Sequence, residues 1–113
     1  MADDVLQVLE YPDESDQSPF KEWFLNAIAA AKVTIALYRL GQGNFSNVKG
    51  VGAGVYEYKI DFGPGYRIYF GKDGDRIIIL LGGSDKKRQA SAIGKAQRAW
   101  VIFKRKRAKP NRH

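Results

Sequence analysis

Apolar residues recur at helical spacing through Phe20, Trp23, Phe24, Ala27, Ile28, Ile35, Leu37 and Leu40, which predicts helix over this stretch. Ser18-Pro19 marks its start: serine is a good N-cap, proline suits the first helical position, and Glu22 falls in the first turn. The alanine run near residue 29 is a place to divide the pattern into two helices, and Gly41 and Gly43 stop it. The aromatic stripe of Phe20, Trp23 and Phe24 is read as core. Upstream, residues 5–11 form a short apolar run that predicts a first strand, closed by Pro12.

Farther on, the period changes to two. If Gly63, Pro64 and Gly65 form a three-residue hairpin loop, Phe62 faces Tyr66, Asp61 faces Arg67, Ile60 faces Ile68, Lys59 faces Tyr69 and Tyr58 faces Phe70. One face then holds Tyr58, Ile60, Phe62, Tyr66, Ile68 and Phe70 and packs on the early helices. The other holds Glu57, Lys59, Asp61, Arg67 and Tyr69 and is expected to be a charged, tyrosine-bearing surface. Asp73-Gly74 predicts a two-residue turn into a third strand, residues 76–81, with Ile77, Ile79 and Leu81 on the core face. Ile78 and Leu80 then lie on the polar face, beneath whatever follows the Gly82-Gly83 turn. Ser84 or Asp85 caps a last helix running from Lys86 to about Arg107, with Gln89, Ile93, Ala96, Trp100 and Phe103 on one side. Gly50 to Gly54 alternates glycine like a phosphate-cradling loop, but a strand follows it instead of a helix, so it is read as a loose approach to that strand. The order of elements is α+β, in a single domain spanning residues 1–113.

Composition narrows the function. The chain has no cysteine, which excludes disulfides, thiolate metal sites and a cysteine nucleophile. Acidic residues stand where a signal peptide needs a basic flank, and no apolar run reaches membrane-spanning length, so a soluble cytoplasmic protein with no membrane partner is expected. The net charge is +7 and sharply divided: residues 1–31 hold seven acids and one base, whereas residues 86–113 hold eleven bases and no acid. A one-signed segment of this kind attracts a polyanion, nucleic acid being the commonest. From about residue 104 the bases read more simply as a solvated, partly frayed tail ended by Pro110, and His113 as a frayed terminus.

The polar strand face gathers Lys59, Arg67 and Tyr69, and the segment after the double glycine brings Lys86 toward them. Three cations and a phenol suit a phosphodiester, whose transition state gathers charge on its non-bridging oxygens, and an arginine fork grips two such oxygens. Tyr66, Lys87 and Arg88 are candidate RNA contacts, the tyrosine by stacking on an unpaired base. A second reading stands beside this one, in which Asp61 opposite Arg67 and Lys59 near Glu57 only neutralise each other across the strands.

The stretch GNFSNVKGVGAGVYEYKIDFGPGYRIYF, followed by DRIIILLGGSDKKRQASAIGKAQ, resembles the RelE/HigB-like toxins of type II toxin–antitoxin systems, in the group of phage-derived addiction-module killer proteins. The resemblance runs from about Phe20 to Trp100 and rests on GN at Asn44, the GPGYR turn, and LLGGSDK with Gln89 three residues beyond the lysine. It implies a small twisted antiparallel sheet with two helices before it and one after. It implies a ribosome-dependent messenger-RNA endoribonuclease that uses no metal or other cofactor, with attack of a ribose 2′-hydroxyl on the adjacent phosphate. A small helix-turn-helix antitoxin is the implied partner. By that resemblance Arg67 stabilises the developing phosphate charge and Lys86 matches the lysine after the double glycine. Lys59 stands where the family usually has arginine, and Ala92 where it often has aspartate. Glu57 and Tyr69 remain as candidates for the general base, Glu57 having the better free pKa, and catalysis by positioning alone is the third option. A gyrase-poisoning toxin of the related ParE type and a catalytically decayed RNA-binding module are the alternative functions.

Overall fold

The computed structural model describes residues 5–12, 17–25 and 30–108. Ala27, Ile28, His113, Pro110 and the acids at residues 3, 4, 13, 14 and 16 lie outside them. Gln7–Glu10 form β1, shorter than the apolar run that predicts it. Ser18 Oγ accepts the Lys21 amide at 3.0 Å and Pro19 opens α1 (Pro19–Leu25), as the capping signal predicts. A second helix, α2 (Ala30–Gly41), completes the early helical stretch, and Gly43, with φ of 77°, turns the chain out of it.

The strands that follow are β2 (Val48–Gly50), β3 (Tyr56–Ile60), β4 (Tyr66–Asp73) and β5 (Ile77–Ser84), and the last helix is α3 (Gln89–Ala108). They form one sheet in the order β1-β5-β4-β3-β2. Four strands are antiparallel, and β1 adds a parallel edge beside β5, so the α+β fold is built on a mixed sheet. No helix of the described residues is long and apolar enough to cross a membrane.

Each sheet face carries its own core. Phe20, Val33, Ala36 and Leu40 of the first two helices pack with Tyr58, Ile60, Tyr66, Ile68 and Phe70. On the other face Ala96 and Trp100 of α3 cover Val55, Tyr69, Ile79 and Leu81. The aromatic stripe of α1 is core, as expected: Phe20 stacks on Phe24 at 5.9 Å between centroids.

Loop lengths revise the registers. Across β3 and β4 the pairs are Ile60 with Tyr66, Lys59 with Arg67, Tyr58 with Ile68, and Glu57 with Tyr69. The loop therefore takes residues 61–65, five instead of three, because Phe62 N–H bonds Ile60 O and Gly65 N–H bonds Phe62 O. A slip of two leaves each remaining side chain on its expected face. Phe62 leaves the core and is 47% exposed, with Lys32 Nζ over its ring.

Between β4 and β5, Asp73 pairs with Ile77 across a three-residue loop, residues 74–76, instead of the two-residue Asp73-Gly74 turn. The accumulated slip is three residues, an odd number, and it exchanges the faces. Ile78 and Leu80 join the core under α1 and α2, whereas Ile79 and Leu81 face α3. A bulge where Tyr69 and Phe70 pair leaves Leu81 without an opposite number, and beyond it Ser84, read from the sequence as a candidate helix cap, lies in β5 opposite Arg67.

Three further expectations are corrected. The Gly82-Gly83 pair does not turn; it lies inside β5, where Trp23 packs flat on Gly83. Residues 50–54 are not a loose approach: Gly50 ends β2 and the residues after it turn the β2–β3 hairpin, closed by the Val51 amide on Val55 O at 2.9 Å. Residues 104–107 are helical, as the last helix predicted to about Arg107 requires, but they are not a frayed tail: Arg107 Nε donates to Asp73 Oδ2 at 2.7 Å and Lys104 Nζ lies over the Trp100 ring.

Candidate functional site

The alternation of β4 places Arg67 and Tyr69 on the same face, and the register sets Lys59 and Ser84 on either side of Arg67 and Glu57 beside Tyr69. This is the face that α3 crosses. Its first residue, Gln89, donates Nε2–H to Glu57 Oε2 at 2.8 Å. The charged surface expected from alternation is therefore a roofed polar cluster: Glu57 is 1% exposed, Arg67 5% and Tyr69 0%. Lys59 and Lys86 remain exposed at its margin.

Arg67 is held from two sides. Nη1 donates to Gly65 O at 2.7 Å, and Nε faces Glu57 Oε2 at 3.7 Å, within ion-pair reach but too far for a hydrogen bond. Nε is buried without a hydrogen-bond partner, and Nη2 has none among the described residues. The acid that neutralises the arginine is thus Glu57, not Asp61, which the longer loop carries away from the strand pair. Lys49 Nζ approaches the other oxygen, Glu57 Oε1, at 3.8 Å from the exposed strand β2.

The Gly-Pro-Gly turn forms the wall between Arg67 and Lys86. Gly65 has φ of 80°, and a Cβ there would stand 3.1 Å from Arg67 Nη1 and 3.7 Å from Lys86 Cβ. The Lys86 amide contacts Pro64 O at 3.4 Å. Lys86 is thereby brought beside the arginine, as expected. Asp85 caps the turn that leads into α3, accepting the Arg88 amide at 3.0 Å on one oxygen and Arg88 Nη1 at 3.0 Å on the other. Helix proper starts at Gln89, three residues later than the sequence predicts. Lys87 and Arg88 are exposed on this turn.

Two candidates are corrected. Tyr66 lies on the opposite face from Arg67 and is buried there, edge-on to Trp23 at 6.2 Å, so it is not placed to stack on RNA at the arginine. Tyr69 shares a hydrogen bond of 3.0 Å with Ser84 Oγ, and burial pushes its phenol up to about 12, with the Glu57 carboxylate acting in the same direction. A general base needs the reverse shift, so Tyr69 is a neutral packing and hydrogen-bonding group at ordinary pH.

The sequence reading did not include Gln89, Ser84, Lys49 or the Gly65 carbonyl in the site. Gln89 carried a signal, since it opens the buried side of the last helix and belongs to the LLGGSDK segment. Lys49 carried none, because a three-residue strand ending in glycine has too little pattern to read.

No family model matches the chain. Over 72 residues it is 40% identical to an uncharacterized protein of Haemophilus influenzae, a stretch that covers 64% of this chain and 73% of that protein.

Proposed function

The chain belongs to one family with that Haemophilus influenzae protein, and we propose that this member is the toxin of a type II toxin–antitoxin pair, cutting messenger RNA on translating ribosomes in the cytoplasm. The observation that carries this reading is the state of Arg67. Its guanidinium is buried and fixed by Gly65 O and Glu57, yet Nε and Nη2 have no hydrogen-bond partner among the described residues, and exposed Lys59 and Lys86 flank it. Nε is a buried donor left without an acceptor, which is costly, and a phosphodiester oxygen would satisfy the unpaired nitrogens.

In the proposed reaction the ribose 2′-oxygen attacks the adjacent phosphorus and the bond from phosphorus to the 5′-oxygen breaks. The products are a 2′,3′-cyclic phosphate and a 5′-hydroxyl. Arg67 and Lys59 stabilise the charge on the non-bridging oxygens, and Lys86 stands at the surface to protonate the departing oxygen. Glu57 is committed to Arg67 and Gln89, so its part is to hold the guanidinium. In-line placement of the RNA by the ribosome supplies the remainder of the rate, with the 2′-proton passing to solvent. A helix-turn-helix antitoxin would keep the protein inactive.

A second reading is favoured by the burial of Glu57, Arg67 and Tyr69 together: the cluster holds α3 on the sheet, and the protein is a folded module without catalysis. The two separate on inducible expression of the wild type and Arg67→Ala, with growth followed and messenger-RNA ends mapped in the same cultures. Growth arrest with new ends inside translated frames, reduced at least about 100-fold in the variant, is expected. Arrest without cuts moves the target to gyrase or another protein, and undiminished growth at confirmed soluble expression leaves the module reading.

A further inference from the structure

Glu57 and Arg67 are neighbours that do not close on each other. Both are buried, and a carboxylate beside a guanidinium in such a setting ordinarily bonds it at about 2.7–2.9 Å. Here Glu57 Oε2 stands 3.7 Å from Arg67 Nε, and Nε has no hydrogen-bond partner. A shift of about 1 Å would join them. What prevents that shift decides whether this edge of the arginine is used inside the protein or left for a ligand.

Three contacts bear on it. Gln89 Nε2 donates to the same oxygen, Glu57 Oε2, at 2.8 Å. Lys49 Nζ draws the other oxygen, Oε1, from 3.8 Å, but its side chain is exposed and the pull is weak. Gly65 O holds the guanidinium itself, accepting Nη1 at 2.7 Å. Of the three, Gln89 is the one that competes with Nε for its acceptor. Which end of the Gln89 amide faces Glu57 follows from chemistry, because an ionised carboxylate only accepts.

The backbone fixes Gln89 in turn. It is the first residue of α3, directly after the turn in which Asp85 Oδ1 accepts the Arg88 amide at 3.0 Å, and its own amide contacts Lys86 O at 3.3 Å. The side chain that restrains Glu57 is therefore anchored to the same turn that carries Lys86. A neutral amide suits the task. It takes a hydrogen-bonding site of Glu57 without adding charge, so the carboxylate still balances the guanidinium across 3.7 Å while Nε keeps its proton unshared. We infer that Gln89 is a positioning residue, which holds the Glu57 carboxylate back from Arg67 and keeps the Nε edge of the guanidinium open to a phosphate. For its ligand the inference rests on the cleavage reading; for the hold on Glu57 it does not.

The Arg67 Nε–H signal of the full chain, identified by its loss in Arg67→Lys, is followed by NMR in the wild type and in Gln89→Met, which keeps the side-chain length and removes the donor. In the variant the proton is expected to move downfield and to exchange with water at least about tenfold more slowly, as a charge-assisted bond to Glu57 forms, at a Tm no lower than that of the wild type. Binding of a 2′-O-methylated uridine tetranucleotide, which cannot be cleaved, is expected to weaken at least about tenfold. A signal that stays at its wild-type position overturns the assignment, and with a lowered Tm it leaves Gln89 as a tack that holds α3 on the sheet. A moved signal with undiminished binding also overturns it, since the phosphate would then not use the Nε edge. A wild type that fails to bind at about 1 mM tells against the cleavage reading, and the Nε–H signal alone then decides the hold on Glu57.

Discussion

Tyr69 and Arg67 show how far burial changes what a side chain can do. The Tyr69 phenol stands at about 12 in the folded protein against 10.0 when free. Below pH 10 it is neutral in both states, and the native protein has its full share of stability from it. Between 10 and 12 the unfolded chain ionises first, so stability falls as pH rises through that window, by about 2–3 kcal/mol in all. Tyr69→Phe should remove this step, seen as a smaller loss of Tm between pH 9.5 and 12 than the wild type suffers; parallel curves would refute the shift. Glu57 makes a separate prediction. Glu57→Leu leaves a buried guanidinium without its carboxylate and should cost about 3–5 kcal/mol in denaturant unfolding. The double variant with Arg67→Leu should recover most of that, because two apolar residues need no partners. A double variant as unstable as the single one would mean that Arg67 is not held by Glu57.

Between β4 and α3 the fit depends on an absent side chain. Trp100 lies so close over Gly71 that a Cβ there would stand 2.5 Å from the ring, and the indole stacks on Phe103 at 5.3 Å. Gly71→Ala must displace the helix or the ring and should destabilise by about 1–3 kcal/mol. Trp100→Ala should cost about 3–5 kcal/mol by emptying the same space, and combining the two should cost less than their sum, since the alanine at 71 partly fills the void. Thermal unfolding of the three proteins decides it. Neither contact could be read from the sequence, and the reason is general here. Alternation assigned Tyr58, Ile60, Ile68 and Phe70 correctly because a slip of two residues conserves faces. It misassigned Ile77 to Leu81 because a slip of three does not, and one residue of loop length separates the two cases. The start of α1 was legible because its cap is local. The roof over Arg67 was not, because where α3 lands is decided by packing of Trp100, Ala96 and Gln89 on strands distant in sequence.

The charge of the molecule divides into zones that salt keeps apart. From Gln89 at the cluster to Arg105, α3 rises about 24 Å at 1.5 Å per residue, roughly three Debye lengths at physiological ionic strength. The bases near the end of α3 therefore add to the long-range pull on a polyanion without acting at Arg67, and Arg107 is already paired with Asp73. Binding of an unstructured RNA should weaken linearly in the logarithm of salt concentration, with a slope of about −0.7 for each phosphate neutralised. If the RNA tracks along Lys59, Arg67 and Lys86, Lys59→Gln with Lys86→Gln should make that slope shallower by about 1.4. Arg105→Gln with Lys106→Gln, two charges also removed, should change the slope less and slow association chiefly at low salt. Equal losses from the two pairs would mean that RNA is drawn to the whole basic flank of α3 without seating at the arginine. A larger loss from the distal pair would place the nucleic-acid surface at the far end of the helix and leave the buried cluster to its part in holding α3 on the sheet.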